Sequence, residues 1–452
     1  MKKLHSAVNI LVITVIIGST FFIYKYIYKH KNNSDDSNNS NLNLSLKQIP
    51  IKDIKDKGLT KDNSNSLLNN LKLVPPAFEY SHSQIITFGN KTFEVVYTVD
   101  SQLTNYINNL LLKFHPDYSA VVVIDNNTGK IISATGFQKD GNKIVPSLAF
   151  SNTNPCASLF KIVTAAALIQ DCRVDPETMF TYLGRSTTLY RYQLKMKNNR
   201  AGRPQSLKKA FATSNNVIFG KAVLQYCNKK ELDGMAYKFG FNQNLMDEIG
   251  LSPSIVDISN SSQNNSLNNY DDQVELASFA SGFNTQTLIS PVHAALLSSV
   301  LANDGILIYP TIISKVIDKE SSINIWEKIP TETRVVNVDV ARKLKEMMGL
   351  TIKEGTARKS FRRLRRVIDQ ELMIGGKSGS ITGGTPQGKR NWFTAFAAPK
   401  NPSYGKGISI SVMNIGVEDV SVKPAYLARS IIEFYFQNNL SNQHKVSNLH
   451  QR

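Results

Sequence analysis

Residues 158–169 read SLFKIVTAAALI: a serine, a lysine three positions later, then an apolar run rich in alanine. The run predicts a buried helix over 159–169. Ser158 and Lys161 then lie on one face, about one turn apart. A helix N-terminus offers positive potential and free N–H groups to a developing oxyanion. A lysine in a partly desolvated site loses basicity and serves as a base toward the serine hydroxyl. The S-x-x-K pattern recurs at Ser206 and at Ser403. Ser206 opens a helix carrying two adjacent lysines, as a solvated face would. Ser403 sits between Pro402 and Gly405 in loop chemistry. Only Ser158 is followed by an alanine-rich run.

Two more polar clusters follow. Ser214-Asn215-Asn216 stands between the helical stretches SLKKAFAT and VIFGKAVLQYC, where a polar triplet makes a tight turn. Of the other S-x-N patterns, those at Ser37, Ser262 and Ser266 fall inside polar low-complexity tracts. Lys377-Ser378-Gly379 is the one K-[ST]-G of the chain. Gly375 and Gly376 precede it, Ser380 follows, and it closes a strand run where small residues admit another backbone.

Before these clusters, QIITFGNKTFEVVYT gives two alternating runs around Gly89-Asn90, a hairpin signal. The stretch 102–114 has helical spacing, and AVVVIDNNTGKIISATGF is two β-branched runs about a turn at 126–129. Helical stretches fill the middle, at 159–169, 207–213, 217–228, 273–283, 292–302 and 341–352. Strands return as ELMIGGKSGS, NWFTAFAAP and GISISVMNIG, and a helix over 424–436 closes the set. That order predicts an α+β fold: one antiparallel sheet assembled from both ends, flanked by terminal helices, with a helical subdomain inserted.

Over 452 residues, 41% are hydrophobic and 19% charged, with a net charge of +18. That mix excludes a wholly disordered chain, a collagen-like repeat and a polytopic membrane protein. Three cysteines exclude a disulfide-dense scaffold, and none falls in a C-x-x-C pair. The seven histidines never approach metal-ligand spacing, so no metal or other cofactor is expected. Residues 7–24, AVNILVITVIIGSTFFIY, carry no charge and as a helix would span about 27 Å. Lysines flank the run on both sides, with Tyr26 and Tyr28 as interfacial anchors. The large Phe21, Phe22, Tyr24 and Tyr26 spoil a cleavage site, so an uncleaved transmembrane anchor is expected.

Together, and in this order, the three clusters resemble those of the active-site serine penicillin-recognising enzymes. The resemblance runs from about Val95 to Phe436. The stretches around 95–137, EGTARKS and NWFTAFAAP are similar to the transpeptidase domain of bifunctional penicillin-binding proteins. It implies a β-lactamase/transpeptidase-like fold. It also implies Ser158 as nucleophile, Lys161 as its base, and Ser214 with Lys377 as a proton relay. Asn216 would bind the donor backbone. Ser378, Gly379 and Ser380 would line the substrate site, with hydroxyls on the terminal carboxylate and the N–H groups of Ser158 and Ser380 as oxyanion hole. Two departures stand out: Pro155-Cys156-Ala157 replaces the family's frequent Pro-Gly before the nucleophile, and Lys-Ser-Gly replaces the commoner Lys-Thr-Gly.

The resulting expectation is a membrane anchor over 1–29, a low-complexity tether over 30–84, and a small linker subdomain over 85–118. A penicillin-binding transpeptidase domain follows over 119–438, then a polar tail over 439–452. The expected activity is D,D-transpeptidation of peptidoglycan stem peptides ending in D-Ala-D-Ala, with β-lactams as covalent inhibitors. The domain would lie outside the cytoplasmic membrane, facing periplasm or cell wall. Only about 60 low-complexity residues separate anchor and first hairpin. That is too few for a glycosyltransferase domain, so a glycan-polymerising partner is expected. A D,D-carboxypeptidase, a serine β-lactamase, or a catalytically silent wall-binding or β-lactam-sensing protein remain alternatives. No E-x-x-L-N context of class A β-lactamases lies between Asn216 and Lys377, and S-N-N replaces the S-x-V of class D enzymes. The basic stretch 358–366 reads as a solvated surface rather than a nucleic-acid site, and 185–209 as a groove lining that favours a carboxylate-bearing peptide.

Overall fold

The computed structural model describes residues 83–449, apart from 89, 196–201, 259–269 and 417–421. The expected anchor, nearly all of the tether and the polar tract 259–269 lie outside the described residues. Among the described residues no helix is long and apolar enough to cross a membrane.

The centre is a six-stranded antiparallel sheet. Its order is Leu372–Gly383, Gly388–Pro399, Ile408–Gly416, Tyr118–Asp125, Ile131–Gln138 and Lys143–Ile144. Strands from both ends of the sequence thus pair, as the order of elements predicts. Alternate residues of each strand serve opposite faces. Ala120, Val122 and Ile124 join Trp392, Phe396 and Met413 in one core. Val121 and Val123 join Phe393, Ala395, Ile410 and Val412 in the other. Burial on both faces explains why these strands read as continuous apolar runs.

The second core is closed by the terminal helices: Leu103, Ile107 and Leu111 of Ser101–Phe114, and Leu427, Ile431 and Ile432 of Pro424–Leu449. The closing helix passes the expected end at 436 and continues to Leu449. On the opposite face lies Pro291–Ala302, buried along its whole length, and beyond it the inserted helices. Among these Lys229–Lys238 has no counterpart in the sequence reading; its apolar positions are few and it is held by the Asn228/Glu231 capping box.

The first hairpin, Ser83–Phe88 with Lys91–Tyr97, forms as expected. It is completed by Ile313–Asp318 and Ile323–Glu327 in a four-stranded sheet. Those two strands are illegible in the sequence because register shifts at Ile313/Lys315 and Val316/Ile317 break the two-residue period. A disulfide joins Cys172 and Cys227, whose Cα atoms lie 5.7 Å apart. The two cysteines follow the ends of helices Lys161–Gln170 and Asn216–Tyr226, which begin at Lys161 and Asn216.

Candidate active site

The approach to Ser158 is fixed by a short strand, Asn154–Pro155, paired with Leu288–Ile289. The Cys156 N–H donates to Thr287 O (2.8 Å) and the Trp392 indole N–H to Pro155 O (3.0 Å). Ala157 then adopts φ +52°, the left-handed region that a non-glycine residue occupies only where its surroundings hold it. Gly282 makes room for this turn: a Cβ there would lie 2.0 Å from Ala157 O.

Ser158 sits not in the first α-turn but in a 3-10 turn, Ala157–Phe160, that runs into the α-helix at Lys161. In a 3-10 turn residues three apart eclipse one another, which brings lysine over serine more directly than an α-turn does. Lys161 Nζ lies 2.9 Å from Ser158 Oγ. The buried amine also reaches Asn216 Oδ1 at 2.7 Å and Ser281 O at 2.5 Å. Burial pushes Lys161 well below the usual lysine range, and the Lys377 cation pushes the same way. A neutral amine has two N–H donors and one lone pair. Asn216 Oδ1 and Ser281 O take the donors, since neither oxygen donates, and the lone pair faces the Ser158 hydroxyl.

Helix Leu207–Thr213 ends at Ser214 in the left-handed conformation (φ 58°, ψ 46°). Asn215 caps the following helix, its Oδ1 accepting from the Ile218 N–H at 3.2 Å. Asn216 is oriented from outside: its N–H donates to Ser186 O (2.8 Å) and its Nδ2 to Thr187 O (3.0 Å). The basic stretch 185–209 therefore reaches the site through backbone carbonyls. Of its cations, Arg191 pairs with Asp271, and Arg203 bonds Gly184 O and lies 4.6 Å from the centre of the Tyr182 ring.

Lys377 projects from the edge strand Leu372–Gly383 and is fully buried. Its Nζ donates to Ser214 Oγ at 2.9 Å and to Ser378 O at 2.8 Å. Burial brings this amine down to about 7. Phenylalanine rings wall both amines: Phe219 is 5.6 Å from Lys161 Nζ and Phe211 5.5 Å from Lys377 Nζ. A Cβ on Gly379 would lie 3.3 Å from Ser158 N, so the strand passes directly beside the nucleophile's amide. Ser378 Oγ meets Thr356 Oγ1 at 2.5 Å, and Ser380 Oγ donates to Asn391 Oδ1 at 3.0 Å.

All eight residues singled out from the sequence are placed by these elements. Ser158, Lys161 and Asn216 share one hydrogen-bonded group, Ser214, Lys377 and Ser378 another, and Gly379 packs beside Ser158. Ser380 lies on the same strand, exposed. Sequence reasoning missed Ser281, Gly282 and Thr356. A glycine directly after an amphipathic helix was the available signal for Gly282. Cys156 is buried and burial raises its thiol, which makes it an inert packing residue rather than a second nucleophile. The six cations of 358–366 are exposed, as a solvated surface requires.

The geometry is that of a serine acyl-transfer site. Residues 119–416 match the family described as the penicillin binding protein transpeptidase domain. Penicillin-binding protein A from Mycobacterium tuberculosis superposes with a TM-score of 0.58 at 19% identity, covering 75% of this chain and 80% of that one. That protein is also solved as acyl-enzyme complexes with imipenem and penicillin G. Penicillin-binding protein 3 from the same organism gives 0.61 at 18% identity, over 76% of this chain and 79% of its own. A peptidoglycan synthetase from Bifidobacterium adolescentis gives 0.58 at 16%, over 76% and 62%. At such identities the likeness establishes the fold. The sequence has no significant match among curated proteins. By its matched residues and by its fold, the chain belongs to the penicillin-binding protein transpeptidase family.

Proposed function

We propose that the protein is a D,D-transpeptidase that cross-links peptidoglycan stem peptides through an acyl-enzyme on Ser158. The observation that carries this reading is the Lys161 amine, 2.9 Å from Ser158 Oγ, with its remaining contacts spent on two pure acceptors. The Ser158 proton passes to Lys161 as Oγ attacks the carbonyl carbon of the penultimate D-Ala. The N–H groups of Ser158 and Ser380 receive the oxyanion. As the peptide C–N bond breaks, the departing D-Ala nitrogen takes a proton through Ser214 and Lys377. The amine of a neighbouring stem then displaces Ser158 from the acyl group by the reverse sequence. Asn216 orients Lys161 and borders the donor backbone, while Ser378 and Ser380 meet the donor's terminal carboxylate. β-Lactams would acylate Ser158 in the same way, consistent with the imipenem and penicillin G acyl-enzyme complexes of penicillin-binding protein A.

This chemistry belongs outside the cytoplasmic membrane, anchored by residues 7–24 with Lys2 and Lys3 inside and a glycan-polymerising partner nearby. The Cys172–Cys227 disulfide supports that location, because such bonds persist in oxidising compartments. The test supplies a stem pentapeptide with and without an acceptor amine and follows released D-Ala and cross-linked dimer. Dimer formation as the main product supports the proposal. Release of D-Ala to water alone moves the assignment to a carboxypeptidase. Rapid catalytic penicillin hydrolysis would make it a β-lactamase.

A further inference from the structure

The turn after helix Val338–Lys353 is bolted to both halves of the site. A Cβ on Gly355 would lie 2.2 Å from Ala212 O, so the turn lies flat on the end of helix Leu207–Thr213. The Thr356 N–H donates to that same Ala212 O at 3.1 Å, two residues before Ser214. The Ala357 N–H donates to Thr351 O at 3.1 Å, which closes the turn on its own helix. Exposed Glu354 and Lys209 form an ion pair across the same junction. From this fixed backbone the Thr356 hydroxyl reaches the K-S-G strand, 2.5 Å from Ser378 Oγ. Among the described residues Thr356 Oγ1 makes no other hydrogen bond.

A hydroxyl has one hydrogen to give. If Ser378 gave its hydrogen to Thr356, only lone pairs would face a carboxylate arriving in the groove, and the two would repel. If Thr356 donates, the Ser378 hydrogen is free, and the hydroxyl is a stronger donor because it is itself accepting. Ser378 is half-buried and Thr356 exposed, so the pair opens to solvent, with Thr356 on its outer side. We infer that Thr356 is a specificity-determining positioning residue: it donates to Ser378 and thereby aims the Ser378 hydroxyl at the carboxylate of the acyl donor. The inference rests on the proposed role of Ser378 in carboxylate recognition. It assigns to the turn 354–357 a part in choosing carboxylate-bearing donors over neutral ones, beyond its part in the fold.

The experiment measures second-order acylation of the full-length protein by benzylpenicillin and by its neutral methyl ester, and takes the acid-to-ester ratio. In the wild type the acid should react faster by tenfold or more. Thr356→Val should lower the ratio about tenfold by slowing the acid alone, the effect of one lost hydrogen bond to a charged partner. Thr356→Ser should restore it. In a Ser378→Ala background Thr356→Val should add nothing. A wild-type ratio near one would overturn the carboxylate reading of Ser378, and this inference with it. A high wild-type ratio that Thr356→Val leaves unchanged would overturn the Thr356 role alone. Equal slowing of acid and ester would do the same, because it marks a purely structural contact.

Discussion

Gly282→Ala should slow acylation about a hundredfold without touching any group that exchanges a proton. Gly282 follows helix Tyr270–Ser281 at φ +64°. An added Cβ would stand 2.0 Å from Ala157 O, 2.6 Å from Ala157 C and 3.2 Å from Ser158 N. Relieving the closest contact requires about 1 Å of retreat. The left-handed backbone adds about 1–2 kcal/mol for a residue with a Cβ. The retreat has two routes. Moving the Ala157–Ser158 peptide shifts the nucleophile and its N–H. Moving the end of the helix shifts Ser281 O, one of the two acceptors that aim the Lys161 amine. Either route disturbs the 2.9 Å contact between lysine and serine, and a misplacement of about 1 Å costs about 100-fold in rate. The assay is the second-order rate of labelling by a fluorescent penicillin, alongside a denaturant midpoint. The variant should lose about 2 kcal/mol of stability, yet remain folded at low denaturant. Labelling within twofold of wild type, with an unchanged midpoint, would refute the argument that this contact sets the nucleophile's position.

Two further outcomes follow from the same structure. Lys377 is held down to about 7 when folded, against 10.5 when free, so the unfolded chain binds the extra proton between those values and stability rises with pH across that window. Lys377→Met should remove up to about 1.4 kcal/mol per pH unit of that slope, read from denaturant midpoints between pH 7 and 10; an unchanged slope would contradict a neutral buried amine. Replacing Cys172 and Cys227 together by serine opens a cross-link spanning 55 positions and should cost about 4 kcal/mol of stability. A variant as stable as wild type would show that the bridge does not form.

The sheet was legible because its strands are buried on both faces and carry uninterrupted β-branched runs, as AVVVI does. The inserted helices were legible where a long apolar run marks a wholly buried helix, as in 292–302, and illegible in Lys229–Lys238, where capping supports the helix instead. The second sheet was half visible: its hairpin follows turn chemistry, whereas its two later strands are bulged. The site was legible as three motifs because reacting groups sit on short local patterns. What holds them was not. Ser281 acts through a backbone carbonyl, Gly282 through the side chain it lacks, and Thr356 through a partner 22 positions away. Of these only Gly282 leaves a signal, as a glycine directly after a helix. The left-handed Ala157 is equally silent, since an alanine gives no sign of the positive φ that glycine or asparagine would signal.

The most direct test of the account is the identity of the acylated residue. The purified protein is treated with penicillin, its intact mass is followed after free drug is removed, and the modified peptide is sequenced by mass spectrometry. One adduct per chain is expected, on Ser158, persisting for hours and absent from a folded Ser158→Ala variant, whose stability should change little. An adduct on Ser206, Ser403 or Cys156, or full labelling of the Ser158→Ala protein, would contradict it.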